Sequence, residues 1–177
     1  IGVAPRARLL SVDVSDQYGA GTMTDVIEGL QWVYNNRTVQ NIRVVNISLN
    51  SSVAESYHTS PLCAAAEMLW FSGIVVVVSA GNNGTATLYP PANDPFVITV
   101  GAVDDRGTAS LSDDVVASFS AYGIDETARV KPDLVAPGAN IISVLAKPDA
   151  LIATQHADHK VTTFSGSQDY YFRMSGT

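Results

Sequence analysis

The stretch IVVVVSAGNNG, residues 74–84, decides the fold class that we predict for this chain. It begins with five consecutive β-branched residues, Ile74 to Val78. A strand that is apolar at every position is buried on both faces, which is typical of the centre of a parallel sheet covered by helices. The small and polar residues from Ser79 to Gly84 then predict that the strand ends in a turn.

Helix and strand patterns alternate on both sides of this stretch. Amphipathic spacing from Thr22 to Asn36 predicts one helix, and an Ala-rich run from Leu62 to Trp70, opened by Pro61, predicts a second. Strand-like runs lie at residues 8–14, 42–49, 96–103 and 133–144, and a loop or hairpin is predicted at 146–167. Because alternating strands and helices are the α/β signature, we predict a three-layer α/β domain with a mainly parallel central sheet flanked by helices.

The composition is that of a folded protein with few basic groups. The 177 residues are about the length of one domain, and 46% of them are apolar, which argues against disorder. The 10 Lys and Arg against 17 Asp and Glu give a formal net charge of −7, which disfavours nucleic acid and anionic membranes as partners. No apolar run is long enough to span a bilayer, and the single cysteine, Cys63, excludes a disulfide within these residues.

Three turns follow predicted strands, and ligands bind at the carboxyl ends of strands in open α/β sheets. The turns are Gly19 to Gly21, Ser48 to Asn50 and Ser79 to Gly84. In the third turn, the amide of Asn82 is a neutral double donor, suited to an oxygen that gains negative charge during a reaction. Asn and Gly also form turns without any function, because both tolerate left-handed dihedrals, and taken alone the stretch is more simply a turn.

Seven motifs that together cover nearly the whole chain resemble the subtilisin-like serine proteases, in the order of that family. They are GVAPRA (2–7), GAG (19–21), VNISL (45–49), VVSAGN (77–82), ASFS (117–120), KPDLVAPG (131–138) and MSGT (174–177). The forms YPPANDPFVITVGAVDD (89–105) and YFRMSGT (171–177) are most similar to the bacterial AprX-like branch. The resemblance implies a serine endopeptidase that hydrolyses peptide bonds through an acyl-enzyme.

The resemblance also implies which part of the peptidase domain residues 1–177 represent. In the family, the catalytic Asp and His precede the segment that opens this chain, and the nucleophilic Ser directly follows the sequence SGT. Residues 1–177 are therefore expected to be a partial domain without a triad, and to be inactive by themselves. Three histidines, His58, His156 and His159, stand in no matching context, and Ser175 matches the first residue of SGT.

Roles in substrate binding follow from the resemblance, residue by residue. Asn82 is the side-chain donor of the oxyanion hole. One edge that pairs with the substrate backbone comprises Gly19, Ala20 and Gly21, and the other begins with Ser48 and Leu49. The primary specificity pocket is lined by Ser79, Ala80 and Gly81. An apolar pocket further along the substrate involves Met23, Val26 and Leu49. Asn50 stands where the family commonly has Gly, which narrows the primary pocket or alters the peptide edge.

The implied chemistry requires no cofactor, and its partner is a peptide or protein substrate. Structural calcium is frequent in the family. No EF-hand spacing relates the acidic residues Asp104, Asp105, Asp113 and Asp114, so none of them is assigned as a calcium ligand. His156 and His159 have no third and fourth ligand at a recognisable spacing, so no metal site is predicted.

A domain without its nucleophile helix exposes apolar surface, which predicts self-association of residues 1–177. Related proteases occur inside and outside cells, and the resemblance favours secretion.

Two other functions stay open at this point. A cleft without its nucleophile still binds peptides, so the chain is alternatively a non-catalytic peptide-binding domain of a pseudoprotease. A strand followed by Gly19-Ala20-Gly21 and a helix is also compatible with dinucleotide binding. Against that function, Thr24 stands at the third small position, and the next strand ends in Asn50 rather than in an acidic residue.

Overall fold

Four parallel strands form the centre of the structure, a computed structural model that describes residues 3–16, 18–162 and 171–177. Their spatial order is β1 (Val44–Ile47), β2 (Val75–Ser79), β3 (Ile98–Asp104) and β7 (Leu134–Pro137). The short β4 (Val115–Val116) pairs antiparallel with the end of β3. The predicted α/β fold with a mainly parallel sheet is therefore confirmed.

The remaining strands form two smaller antiparallel sheets. One is the hairpin of β5 (Gly123–Ile124) and β6 (Val130–Lys131). The other has β10 (Tyr171–Met174) between β8 (Ile141–Val144) and β9 (Lys160–Val161). Between β8 and β9 lie the short helix α3 (Leu151–Gln155) and a 3₁₀ turn, Ala157–His159. The stretch predicted as a loop or hairpin thus contains helical turns, and its residues 163–167 lie outside the described residues.

Helix α1 (Met23–Asn36) begins with a capping box. The Asp25 N–H donates to Thr22 Oγ1 at 3.2 Å, and the Thr22 N–H donates back to Asp25 Oδ2 at 2.8 Å. Two backbone donors that the first turn leaves without helical partners are satisfied in this way. The apolar stripe Val26, Leu30 and Val33 then turns one face of the helix into the core.

Helix α2 (Pro61–Phe71) contacts α1 and continues the same core. Proline fits its first position because that residue needs no amide partner there. Its buried Leu62, Ala66 and Leu69 join the α1 stripe in one cluster with Val76 and Val78 of β2. Within the described residues, no helix combines the length and the apolar character that crossing a bilayer requires.

The two faces of β2 differ. Val76 and Val78, on the face toward the helices, are 0% and 1% exposed, whereas Val75 on the opposite face is 39% exposed. Leu134 and Val135 of β7 are also exposed. The predicted burial of β2 on both faces is therefore observed only on the face that packs against α1 and α2.

Two strand predictions need correction. Residues 8–14 form no strand among the described residues, and Leu9 is 89% exposed. Val14 lies against α1, where a Cβ added to Gly29 would be 2.7 Å from Val14 Cγ1, so side-chain packing replaces a backbone ladder. The run 133–144 is two strands instead of one. It breaks at Gly138, where the backbone is so close to that of Gly176 that no side chain fits.

Candidate active site

The turn after β2 is held by backbone hydrogen bonds on two sides. The Ala80 N–H donates to Val100 O of β3 at 2.8 Å, and the Ala121 N–H donates to Gly81 O at 2.8 Å. Gly81 has a φ of +107°, a conformation that side-chain-bearing residues rarely adopt. The chain is thereby turned out of the sheet at Gly81, and the exposed Asn82 follows directly.

The side chain of Asn82 is bound to the last residue described, Thr177. Asn82 Oδ1 accepts hydrogen bonds from the Thr177 N–H and from the Thr177 hydroxyl, both at 3.0 Å. The Gly81 N–H in turn donates to Thr177 Oγ1 at 3.1 Å. With the carbonyl oxygen occupied, the Asn82 NH₂ group stays available as a donor, and among the described residues we find no acceptor bonded to it.

The segment 174–177 is fixed beside this turn by its own backbone contacts. The Gly176 N–H donates to Gly138 O at 2.9 Å, and the Asn140 N–H donates to Ser175 Oγ at 2.9 Å. The Ser175 hydroxyl therefore accepts a structural hydrogen bond. Two of the motifs noted in the sequence, 77–82 and 174–177, are almost a hundred residues apart and meet in one place.

The turn Gly19 to Gly21 is exposed, and Asp16 organises it. The Asp16 carboxylate accepts hydrogen bonds from the Tyr18 N–H at 2.9 Å and the Ala20 N–H at 3.0 Å. Ala20 O accepts from the Asp16 N–H at 2.8 Å. Both backbone groups of Ala20 are thus used within the turn in this conformation. Gly21 has no room for a side chain, because its Cβ would overlap Val14 O.

The residues predicted for the apolar pocket separate by burial. Met23 and Leu49 are half-buried and pack against the edge of the core, while Val26 is a member of the core itself. Ser48 is exposed, and its hydroxyl accepts from Asn46 Nδ2 at 2.9 Å. The structure places Met23 and Leu49 at the surface side of the core and turns Val26 inward.

Asn50 connects the ends of β1 and β2. Its Nδ2 donates to Ser79 O at 3.0 Å, and its Oδ1 accepts from the Ser79 hydroxyl at 3.0 Å. The residues predicted to line the primary pocket, Ser79, Ala80 and Gly81, are all buried. Asn50, which stands where the family commonly has Gly, therefore makes two specific hydrogen bonds to Ser79, one of these pocket residues.

Sequence reasoning missed a buried polar cluster at the start of β3. Lys131 is 1% exposed, and its ammonium donates to Val97 O at 2.9 Å and to Asp133 Oδ2 at 2.7 Å. The same carboxylate oxygen accepts from the Thr99 N–H at 2.7 Å. The motif KPDLVAPG contains both charged residues, and the only signal available in the sequence was a lysine two residues before the strand predicted at 133–144.

Asp94 lies close to this cluster and is 0% exposed. Burial raises its pKa from 3.8 to about 6, and the nearby Glu67 carboxyl on α2 adds to the increase. Asp94 Oδ1 accepts from the Phe96 N–H at 2.8 Å, whereas Oδ2 is buried without a hydrogen-bond partner among the described residues. Burial also raises the pKa of the Cys63 thiol to about 12, which makes it an unreactive core residue.

No group of three or more His, Cys, Asp or Glu side chains in the described part of the chain is arranged to hold a metal ion. Asp104 and Asp105 accept hydrogen bonds from the next turn, from Arg106 N–H and Gly107 N–H respectively, both at 2.9 Å. An open cavity of about 620 Å³ adjoins this turn, and Asn82 does not line it. The rings of His156 and His159 are 5.6 Å apart, and both residues lie near the surface.

Comparison with known proteins identifies the family. The subtilase family profile matches residues 1–177. The serine protease AprX of Bacillus subtilis (strain 168) is 43% identical over 183 residues, which cover 99% of this chain and 40% of that protein. The thermophilic serine proteinase of Bacillus sp. (strain AK1) is 37% identical over 144 residues, which cover 81% of this chain and 31% of the relative.

A solved structure with the same fold is the prenylagaramide maturation protease PagA, with a TM-score of 0.59 and 22% sequence identity. The alignment covers 92% of this chain and 46% of that one. This chain thus spans less than half the length of the relatives it matches. These matches confirm the resemblance noted in the sequence. The chain belongs to the subtilase family.

Proposed function

We propose that the protein carrying this chain is a serine endopeptidase, and that residues 1–177 contribute the oxyanion donor and most of the walls of the substrate cleft. The observation that carries the proposal is the contact of Asn82 with Thr177. It occupies the carbonyl oxygen of the amide, and the NH₂ group bonds to no acceptor among the described residues. This arrangement suits a group that donates to a substrate oxygen.

The proposed role of Asn82 is electrostatic. When a nucleophile adds to a peptide carbonyl, the oxygen acquires negative charge, and a donor already in position stabilises it without reorganisation. Such a donor typically contributes about 3 kcal/mol to catalysis. By resemblance to the family, the nucleophilic Ser follows Thr177, which would place it next to the Asn82 amide. The family's His and Asp would move the proton and orient the imidazole.

The proposed substrate is an extended peptide, in keeping with the serine protease relatives. Extended peptides bind to exposed edges through main-chain hydrogen bonds, and pockets select alternate side chains. Gly19 to Gly21 and Ser48 to Asn50 are the proposed edges. For the first edge to pair through Ala20, the hydrogen bonds from Ala20 to Asp16 would have to rearrange, since both backbone groups of Ala20 are occupied.

The test is Asn82→Ala in the full-length protein, assayed with a peptide anilide. We expect kcat to fall by about 100- to 1,000-fold with little change in KM, because the lost donor acts mainly in the transition state. Asn36→Ala is the matched control, since Asn36 ends α1 and its side chain bonds only within that helix, to Trp32 O. An unchanged kcat in Asn82→Ala, with the fold intact, would contradict the proposed role.

A non-catalytic peptide-binding domain remains the second candidate, because a cleft without its nucleophile would bind peptides by the same proposed contacts. Hydrolysis that a serine-directed inhibitor blocks in the full-length protein separates the two functions. Dinucleotide binding receives less support. The amides of Tyr18 and Ala20, which would have to face a phosphate, already donate to the carboxylate of Asp16.

Several expectations stay predictions. They are the partial-domain assignment of residues 1–177, the inactivity of these residues by themselves, their self-association, secretion, and a chemistry that needs no cofactor.

A further inference from the structure

The carboxyl ends of β1 and β2 lie side by side beyond the last paired residues, Ile47 and Val78. The chain after β1 continues to Asn50, and the chain after β2 continues through Ser79 to Gly81. A recess between these two segments would open next to Asn82, which follows Gly81 directly. The side chains that project into this space therefore decide what fits beside a carbonyl group held by Asn82.

Asn50 projects across that space and is anchored at both ends of its amide. It donates to Ser79 O and accepts from the Ser79 hydroxyl, each at 3.0 Å. This pairing leaves the side chain little rotational freedom. Both groups of Ser79 would lose a partner in a largely buried position if Asn50 turned away, which is unfavourable.

The same amide covers Gly81. A Cβ built on Gly81 would lie 3.4 Å from Asn50 Oδ1 and 3.6 Å from the methyl group of Ala121. Asn50 and Ala121 thus both cover the face of Gly81 from which a side chain would project. The wall formed by Ser79, Ala80 and Gly81 consequently has almost no exposed surface.

We propose that Asn50 closes the recess along Ser79 to Gly81, so that the protein accepts only small side chains on the substrate residue whose carbonyl faces Asn82. This inference rests on the proposed function and adds a substrate class to it: peptides with Gly, Ala or Ser at that residue. A larger side chain would have to displace the Asn50 amide and break its two hydrogen bonds to Ser79. Asn50 acts here as a specificity-determining residue.

The experiment compares peptide anilides that differ only in the residue before the scissile bond, Ala, Leu or Phe, using the full-length protein. The wild type is expected to favour Ala. In Asn50→Gly, the ratio of kcat/KM for Phe or Leu to that for Ala should rise by about 10- to 200-fold, the range typical of adding or removing apolar contacts in a pocket. Asn41→Gly is the control: Asn41 is exposed and already has a φ of +52°, which glycine accepts.

The possible outcomes distinguish the role of Asn50 in specificity from the endopeptidase assignment on which it rests. An unchanged Phe-to-Ala ratio in an active Asn50→Gly variant overturns the role of Asn50 and leaves the endopeptidase assignment intact. A wild type that prefers Phe or Leu over Ala overturns it as well. If the wild type hydrolyses none of the peptides in a serine-inhibitor-sensitive manner, the proposed function fails, and the Asn50 inference fails with it. Should Asn50→Gly not fold, Asn50→Ser is measured with the same criteria, since it shortens the side chain and keeps a hydroxyl near Ser79.

Discussion

Two polar clusters lie near opposite ends of the segment that joins β2 to β3. Near its beginning, the exposed Asn82 bonds to Thr177 at the carboxyl end of the sheet. Near its end, the buried Lys131 bonds to Val97 O and Asp133 at the start of β3. Both clusters join distant parts of the chain by hydrogen bonds of similar length. They differ in their access to water.

That difference decides what each cluster contributes. Water can replace a partner lost from the exposed cluster, so its hydrogen bonds orient Asn82 at little cost to stability. No water reaches Lys131, so removing one group there leaves a buried charge or acceptor unpaired. The comparison teaches that burial, rather than the number of hydrogen bonds, separates the positions that hold this fold from the positions that present a functional group.

Lys131→Ala should have the largest effect on stability. It removes the ammonium from Val97 O and leaves the Asp133 carboxylate without its positive partner. The Asp133 side chain is 37% exposed and can be solvated, so the main costs are the truncation of a fully buried long side chain, typically about 2–5 kcal/mol of the free energy of unfolding, and the unpaired Val97 O. Urea unfolding measures it, with the exposed Lys147→Ala as the control, which should change stability by less than about 0.5 kcal/mol. If Lys131→Ala and Lys147→Ala lowered the free energy of unfolding equally, burial would not explain the difference between the two clusters.

Asp94→Asn should change how stability depends on pH. The pKa of Asp94 is raised from 3.8 to about 6 in the folded protein, so the folded state binds this proton more tightly. Its contribution to stability is complete below about pH 4, declines as the pH rises from 4 to 6 and is absent above that, an effect of about 3 kcal/mol at 1.36 kcal/mol per unit.

The substitution should therefore raise the free energy of unfolding at pH 7.5 and have little effect at pH 4. An amide keeps the hydrogen bond from the Phe96 N–H and presents an NH₂ group in place of the unpartnered oxygen near Glu67. The charged groups that face Asp94 are Glu67 and Lys131, with the Cys63 thiol also nearby. Thermal unfolding of both proteins from pH 4 to 7.5 measures the difference. The exposed Asp149→Asn serves as control, and a pH-independent difference for Asp94→Asn would contradict the assignment.

Thr177→Val should have the smallest effect. It keeps the shape of the side chain and removes the hydroxyl that bonds to Asn82 Oδ1 and accepts from the Gly81 N–H. Because this cluster is partly open to water, we expect a loss of no more than about 1 kcal/mol in urea unfolding. A loss as large as that of Lys131→Ala would show that the exposed cluster of Asn82 and Thr177 also stabilises the fold, which would contradict the difference described between the two clusters.

The elements of the main core were predictable from local patterns. The helix predicted from Thr22 to Asn36 is observed at Met23–Asn36, and the one predicted at 62–70 is observed at Pro61–Phe71. Their positions follow from capping residues, a first-turn proline and apolar spacing, all of which act within a few residues. The strand predicted at 8–14 failed because a strand also needs a backbone partner, and the pattern contains no information about one.

The candidate site was predictable as a set of residues but not as an arrangement. Motif resemblance selected Asn82, Asn50 and Ser79. Motif resemblance could not predict the hydrogen bonds that orient Asn82 or those that join Asn50 to Ser79. The burial of Asp94 beside Lys131 was equally hidden, since these residues are far apart in sequence and neither belongs to a periodic pattern.

By itself, the sequence determined the fold class, the helices and the family, because each depends on residue type, local spacing or the order of short motifs. The tertiary structure decided which polar groups are buried, which are paired and which face water. Those properties arise from contacts between residues that the chain brings together from distant positions, as Thr177 is brought to Asn82. Hydrogen-bond strength and pKa depend on the surroundings of a group, and only the folded chain creates those surroundings.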